Sequence, residues 1–316
     1  MRVIKESVTE IIEQDILKRI EYCGRICYKS EEQISEGSAL RFVKMLVDRK
    51  HWAMLEHAPL VLEVTLEIAK AILNIGHGTF LNVTINEEED RYLISGNIRA
   101  WLTLFTDEEL LSRCPDRIIG FLECRIQASL GDVYSIIFPH MHDVYNPRNF
   151  ILLQNEVLSL ENLTDEEAKA HLYLTAHFIC DRGVSHELVR HRPASFAQES
   201  TRYCNYGKKS FGEEITFIDP GFEGETLHIW ADTMLVCERA YFDLLDKGLT
   251  PQYARGVLPT DVKTEVVMTC NLKEWQHVIN LRYHGTTGAP HPHMFNVMKL
   301  WYELIRNKKW YDKWID

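Results

Sequence analysis

The stretch from Glu187 to Tyr203 places three guanidinium groups (Arg190, Arg192, Arg202), one imidazole (His191), three aliphatic hydroxyls (Ser195, Ser200, Thr201), an amide (Gln198) and two carboxylates (Glu187, Glu199) in seventeen residues. Buried charges are costly unless paired, so the chain has to fold around this stretch and leave it at a surface or in a cleft. Leu188 and Val189 read as the end of a helix or strand. Pro193 disfavours helical geometry in the residue before it, so a loop that presents its side chains outward should follow. Arginine forks match the paired oxygens of a phosphate, and Ser200, Gln198 and free backbone N–H groups can complete the shell around the same anion. On chemistry alone two readings stand, an anion or nucleotide cradle and a solvated loop laced with salt bridges.

The charge balance makes any anion site local. A formal charge of −11 over 316 residues argues against the broad basic face that coats nucleic acid. A hydrophobic content of 46% is ample for a buried core, in one large domain or two. No run approaches the roughly 20 apolar residues needed to span a bilayer, and the start at Met1–Glu6 has too short an apolar run to read as a signal peptide, so the expected location is cytoplasmic, away from membranes. The eight cysteines are scattered among apolar neighbours and read as reduced core residues. Cys23 and Cys27 have no second pair at zinc-site spacing.

Hydrophobic periodicity predicts a helix over Thr9–Cys27, a second after Ser38, and a strand over Leu60–Ile68. Further strands are expected at Phe80–Ile85, Arg91–Gly96, Leu172–Cys180 and Thr264–Cys270, with Asp181–Gly183 as a turn and Leu227–Lys247 as a long helix. Thr164-Asp-Glu-Glu167 opens like a capping box. Ile94–Trp101 and Met268–Trp275 resemble each other, each reading as strand, Asn cap (Asn97, Asn271) and a helix with Trp at the fifth position. Shared capping chemistry and shared origin both explain that likeness. Leu111–Asn149 reads as helix, then irregular loop; His140 and His142 with Asp143, or His291 and His293, are either metal ligands or surface residues.

Arg190-His191-Arg192, then seven residues, then Ser200, then Arg202-Tyr203 resembles the signature of flavin-dependent thymidylate synthases, enzymes that methylate dUMP using a reduced flavin. The resemblance continues through His51-x4-Glu56-His57, Pro251–Pro259 with Arg255, Asn271-Leu-Lys273 and Arg282. It implies an α+β fold, a mostly antiparallel sheet with packed helices, as a single domain over 1–316 with 70–170 as a family-atypical insertion. It implies FAD, bound non-covalently by His51, Ala53, Glu56, Arg190, His191, Arg192, Gln198, Asn271, Lys273 and His277. For dUMP it implies Glu187, Arg190, Gln198, Glu199, Ser200, Thr201, Arg202, Arg255 and Arg282, with Arg282 catalytic and no metal. Methylenetetrahydrofolate as one-carbon donor, NADPH as reductant and a homotetramer follow from the same likeness. The chain departs from the pattern at Ala197-Gln198, Glu187, Ala53 and His277, and at Gly285–Met294, which replaces an Ala-Gln-x-Glu pattern.

Neither a Gly-x-Gly-x-x-Gly nor a Gly-Lys-Ser/Thr phosphate loop is present, which removes support for Rossmann and P-loop readings. Ser200 has no His-Asp pair close in sequence and reads as a nucleotide contact, not a nucleophile. The rival readings are a histidine-ligated metal hydrolase and an RNA-binding protein that grips phosphate through the Arg-His-Arg loop.

Overall fold

The structure is a computed structural model that describes residues 1–76, 78–138, 162–208 and 212–308. The chain opens with β1 (Arg2–Ile4), β2 (Ser7–Glu10), α1 (Ile16–Tyr28), α2 (Ser38–Asp48) and a 3-10 turn at Trp52–His57. A first unit follows, made of β3 (Pro59–Val64), α3 (Leu66–Ile75), β4 (Asn82–Asn86), β5 (Arg91–Asn97) and α4 (Ile98–Thr106). Next come α5 (Glu108–Ser112), α6 (Asp116–Leu130), α7 (Tyr134–Ile137) and α8 (Asp165–His171). A second unit runs through β6 (Tyr173–Asp181), α9 (Arg182–Leu188), β7 (Ser195–Gln198), β8 (Thr216–Ile218), α10 (Gly224–Asp246), α11 (Pro251–Ala254), β9 (Lys263–Asn271) and α12 (Leu272–Arg282), and α13 (Pro292–Arg306) closes it.

The expected α+β class holds. Among the described residues, β2-β6-β9-β7 and β3-β5-β4 are wholly antiparallel sheets, and the short β1–β8 pair is parallel. The core of the first sheet gathers Leu60, Leu62, Ile94 and Trp101 with Ile68 and Ile72 of α3. That of the second gathers Phe178, Met268, Trp275 and Trp301.

Three expectations are corrected. The helix placed at Thr9 starts at Ile16, capped by Asp15, because Ser7–Glu10 pairs with β6 instead; Ile12, expected on the apolar face, is 69% exposed. The strand expected to Ile68 ends at Val64, since Ile68, Ala69, Ile72 and Ile75 also fit helical spacing and are buried on one face of α3. Asp181–Gly183 is no free turn but the start of α9, with Asp181 Oδ1 accepting from the Val184 N–H at 2.7 Å.

Two histidines join the sheets. His57 Nδ1 lies 2.8 Å from Thr269 Oγ1 of β9, and His171 Nδ1 lies 2.7 Å from Ser95 Oγ of β5. Burial pushes His57 down to about 3 and His171 down to about 4, so both rings are neutral at neutral pH. The expected capping box holds α8 in place beside β5. Glu167 accepts from the Thr164 N–H (2.8 Å), from Arg91 Nε (2.8 Å) and Nη2 (2.6 Å), and from Asn86 Nδ2 (3.2 Å). Burial works to raise its carboxyl, but the bonds from Arg91, Thr164 and Asn86 outweigh it and hold the pKa at about 2.

A carboxyl held that low stabilises the fold above its unfolded pKa, and the gain is lost as pH falls from about 4.3 toward about 2. Glu167→Gln should therefore show a shallower loss of unfolding free energy across that window than the unaltered protein, read by urea titration at each pH. Parallel curves would show that Glu167 does not carry the acid sensitivity.

Candidate active site

Local chemistry sets the ends of the charged stretch. Helix α9 stops at Leu188 ahead of Pro193, and β7 then pairs with β9, Ser195 opposite Thr269 and Gln198 opposite Val266. The outward loop expected over the whole stretch is thus partly strand. Its alternation buries Ser195, Ala197 and Glu199, and leaves Arg190, Arg192, Arg202 and Tyr203 exposed. The strand forms because β9 offers a long apolar partner edge, which lies more than sixty residues downstream.

Arg282, the last residue of α12, reaches back to α9. Its Nη1 donates to Glu187 Oε2 at 2.7 Å and its Nε donates to His191 Nε2 at 3.2 Å. An accepting Nε2 assigns the His191 proton to Nδ1, which faces Glu274 Oε1 at 3.5 Å. His191, Glu274 and His277 bring potential ligand atoms within 4.8 Å of one another.

On the other side of the stretch, Arg255 Nη1 donates to Thr201 Oγ1 (3.2 Å) and Arg202 Nε donates to Gln252 Oε1 (3.2 Å). Two exposed guanidinium groups from distant segments therefore stand by the same turn, and Ser200 accepts from the Arg202 N–H at 3.3 Å. Glu199 and Gln198 sit underneath. Glu199 is buried and accepts from Lys263 Nζ (2.8 Å) and Tyr206 OH (2.9 Å); Gln198 donates to Ser185 Oγ (2.9 Å) and Thr264 Oγ1 (3.3 Å). Both are supports of the loop in this structure.

Below them lies a group of charges that sequence reasoning missed. Glu265 accepts from Lys29, from Lys263 and, at 3.0 Å, from His177 Nε2. Burial works to raise the Glu265 carboxyl, but these partners hold it well below the ordinary carboxylate range. Burial likewise works to lower Lys29, and Glu265 pulls its pKa above the usual lysine value. The available signal was the presence of Lys263 and Glu265 beside the apolar run Val266–Met268.

Five of the ten residues implied for the flavin line two cavities. One, of about 710 Å³, has Glu56, Arg192, Ser195 and Asn271 in its wall together with Asn97 and Arg99. The other, of about 350 Å³, has His51 and Ala53 with Arg99 again. Arg99 thus stands between them, its Nη1 donating to Glu56 Oε1 at 2.5 Å. Lys273 and His277 are exposed on α12, Arg190 is exposed after α9, and His57 is buried against Thr269.

The altered segment Gly285–Met294 is tied elsewhere. His293 Nδ1 lies 2.7 Å from Asp181 Oδ2, and that bond raises the His293 pKa to about 9. His291 caps α13 by accepting from the His293 N–H. Neither serves the hydrolase reading here, and His140, His142 and Asp143 lie outside the described residues.

The fold and the site define an α+β protein with an arginine-rich face and a cavity walled in part by amide and guanidinium groups. Residues 160–308 match the family model described as thymidylate synthase complementing protein. The flavin-dependent thymidylate synthase of Pyrococcus abyssi is 32% identical over 143 residues, 39% of this chain and 58% of the relative. That of Geobacter sulfurreducens is 36% identical over 104 residues, 32% of this chain and 43% of the relative. The chain thus spans about half the length of the curated relatives it matches. Among solved structures, a UMP/dUMP methylase of Streptomyces cacaoi bound with 5-Br dUMP aligns over 96% of this chain and 93% of its own, at a TM-score of 0.40 and 14% identity, a likeness too loose to carry anything further. Among the described residues no helix is long and apolar enough to cross a membrane.

Proposed function

We propose that the protein methylates dUMP to dTMP with non-covalently bound FAD, taking the one-carbon unit from methylenetetrahydrofolate and reducing equivalents from NADPH, as a cytoplasmic homotetramer built on one domain over residues 1–316. The observation that carries this reading is the convergence of Arg255 and Arg282, from two distant segments, on the two ends of the stretch that carries Arg190, His191 and Arg202. The cavity chemistry suits a flavin, since amide and guanidinium donors line it beside the exposed ring of Phe80. When bound, the flavin would supply the hydride.

The chain's own residues do the rest. Arg190, Arg202 and Arg255 hold the nucleotide, chiefly its phosphate, with Ser200 and Thr201 completing the grip. Glu199 and Gln198 keep the loop in shape from beneath. Arg282, oriented by Glu187 and His191, stabilises negative charge at the N3–O4 edge of the pyrimidine and so makes C5 nucleophilic. A cysteine adding to the ring is not required, which agrees with the state of the thiols: burial pushes Cys27 up to about 11 and Cys204 up to about 12, far from the thiolate form.

Purified protein supplied with FAD and the three substrates should form dTMP and show a flavin absorption spectrum. A colourless protein with stoichiometric zinc and no dTMP would favour the hydrolase. Within this reading, Arg255→Ala removes one charge-assisted bond and should weaken dUMP by about ten- to a hundredfold, with a much smaller effect on deoxyuridine, measured by calorimetry. Equal losses for both ligands would place the phosphate elsewhere.

A further inference from the structure

The first and second units share one plan. With β8, α10 and α11 set aside, β3-α3-β4-β5-α4 and β6-α9-β7-β9-α12 have the same order, and in both sheets the last strand of the unit lies in the middle. The registers also agree. Pro59 faces Asn97 as Tyr173 faces Asn271, and Asn82 faces Ser95 as Ser195 faces Thr269. Both helices begin alike, Asn97 accepting from the Ala100 N–H and Asn271 from the Glu274 N–H, and Trp101 and Trp275 are both fully buried. The Ile98 N–H donates to Ala58 O at 3.0 Å and the Leu272 N–H to Leu172 O at 2.9 Å. Capping chemistry alone does not set register on two strand pairs, so the likeness extends to the whole unit.

The histidine bonds show how the units face each other. His57 stands two residues before β3 and bonds Thr269 of the second unit, whereas His171 stands two residues before β6 and bonds Ser95 of the first. Ser95 and Thr269 are register equivalents, so the two bonds are exchanged as a local two-fold axis requires.

The larger cavity takes its wall from both units in matched pairs, Asn97 with Asn271 and Asn82 with Ser195. The N-terminal ends of α4 and α12, each carrying partial positive charge, meet it from opposite units. Arg99 and Arg192 against the single carboxylate of Glu56 leave the wall one net positive charge, and Phe80, 78% exposed, offers an aromatic face. The size falls within the roughly 300–1,000 Å³ typical of cofactor pockets.

Resting on the flavin reading above, we propose that this cavity is one composite site in which the first unit, from within the same chain, holds the diphosphate of the dinucleotide flavin through Arg99 and the N-terminus of α4, opposite the second unit's Asn271. The stretch from residue 70 that reads as an addition to the family then supplies half of the cofactor's wall.

The test is flavin binding, followed by fluorescence quenching, with dUMP binding measured separately. Arg99, 47% exposed, and Thr103, on the same helix and in the same wall, are both replaceable without opening the core. Arg99→Ala should weaken FAD about ten- to a hundredfold, the scale of one charge-assisted bond, and riboflavin, which has no phosphate, by less than about threefold. Thr103→Trp, which fills the cavity from the first unit, should weaken both flavins, and dUMP should bind both variants as it binds the unaltered protein. Unchanged FAD affinity in both variants overturns the composite site while leaving the functional reading intact. Failure of the unaltered protein to bind any flavin overturns both.

Discussion

Arg282→Ala should leave reduction of the bound flavin by NADPH intact and slow its dUMP-dependent reoxidation by about a hundredfold or more, the loss typical of one preorganised electrostatic group. The structure adds a reason for preorganisation that the sequence lacked. Arg282 is half-buried at the end of α12 and held from two sides, by Glu187 at 2.7 Å and by His191 Nε2 at 3.2 Å. A guanidinium fixed before the substrate arrives spends little free energy on reorganising when charge develops on the ring. Glu187→Gln keeps the shape but removes the charge that orients Arg282, so it should slow the same step by a smaller factor. Stopped-flow absorbance of the reduced flavin reads both variants. Near-normal reoxidation by Arg282→Ala at saturating dUMP would reduce Arg282 to a binding residue.

Glu265→Leu should cost about 3–5 kcal/mol of unfolding free energy, because deleting one member of a buried ion network leaves its partners uncompensated. Glu265 is 5% exposed and faces Lys29, Lys263 and His177. Lys263 also holds Glu199, so the loss should reach the arginine loop through a single lysine. Urea unfolding at neutral pH measures the change. A cost below about 1 kcal/mol would mean that water or a rearranged lysine compensates the charges, as at exposed pairs.

Much of the site could be read in the sequence because its chemistry is local. The Asn97 and Asn271 caps and the Thr164–Glu167 capping box depend on residues three positions apart, and each forms as expected. The order of Arg190 to Tyr203 carried the family resemblance, and the likeness of Ile94–Trp101 to Met268–Trp275 was visible as a pattern. Elements whose identity depends on a distant partner were not legible. Ser7–Glu10 is a strand because β6 offers an edge to pair with, and Ser195–Gln198 is a strand because β9 does.

The sequence by itself determined where the side-chain-capped helices α4, α8 and α12 start, which residues carry charge, and that one short stretch concentrates the chemistry; capping acts within a turn of chain. Only the tertiary structure decided that His57 bonds Thr269, 212 positions away, that Glu265 lies between two lysines, and that Arg99 and Asn271 share a cavity wall. Those contacts arise when two sheets pack and their buried polar groups have to find partners, a condition set by the geometry of the whole chain and by no local window of it.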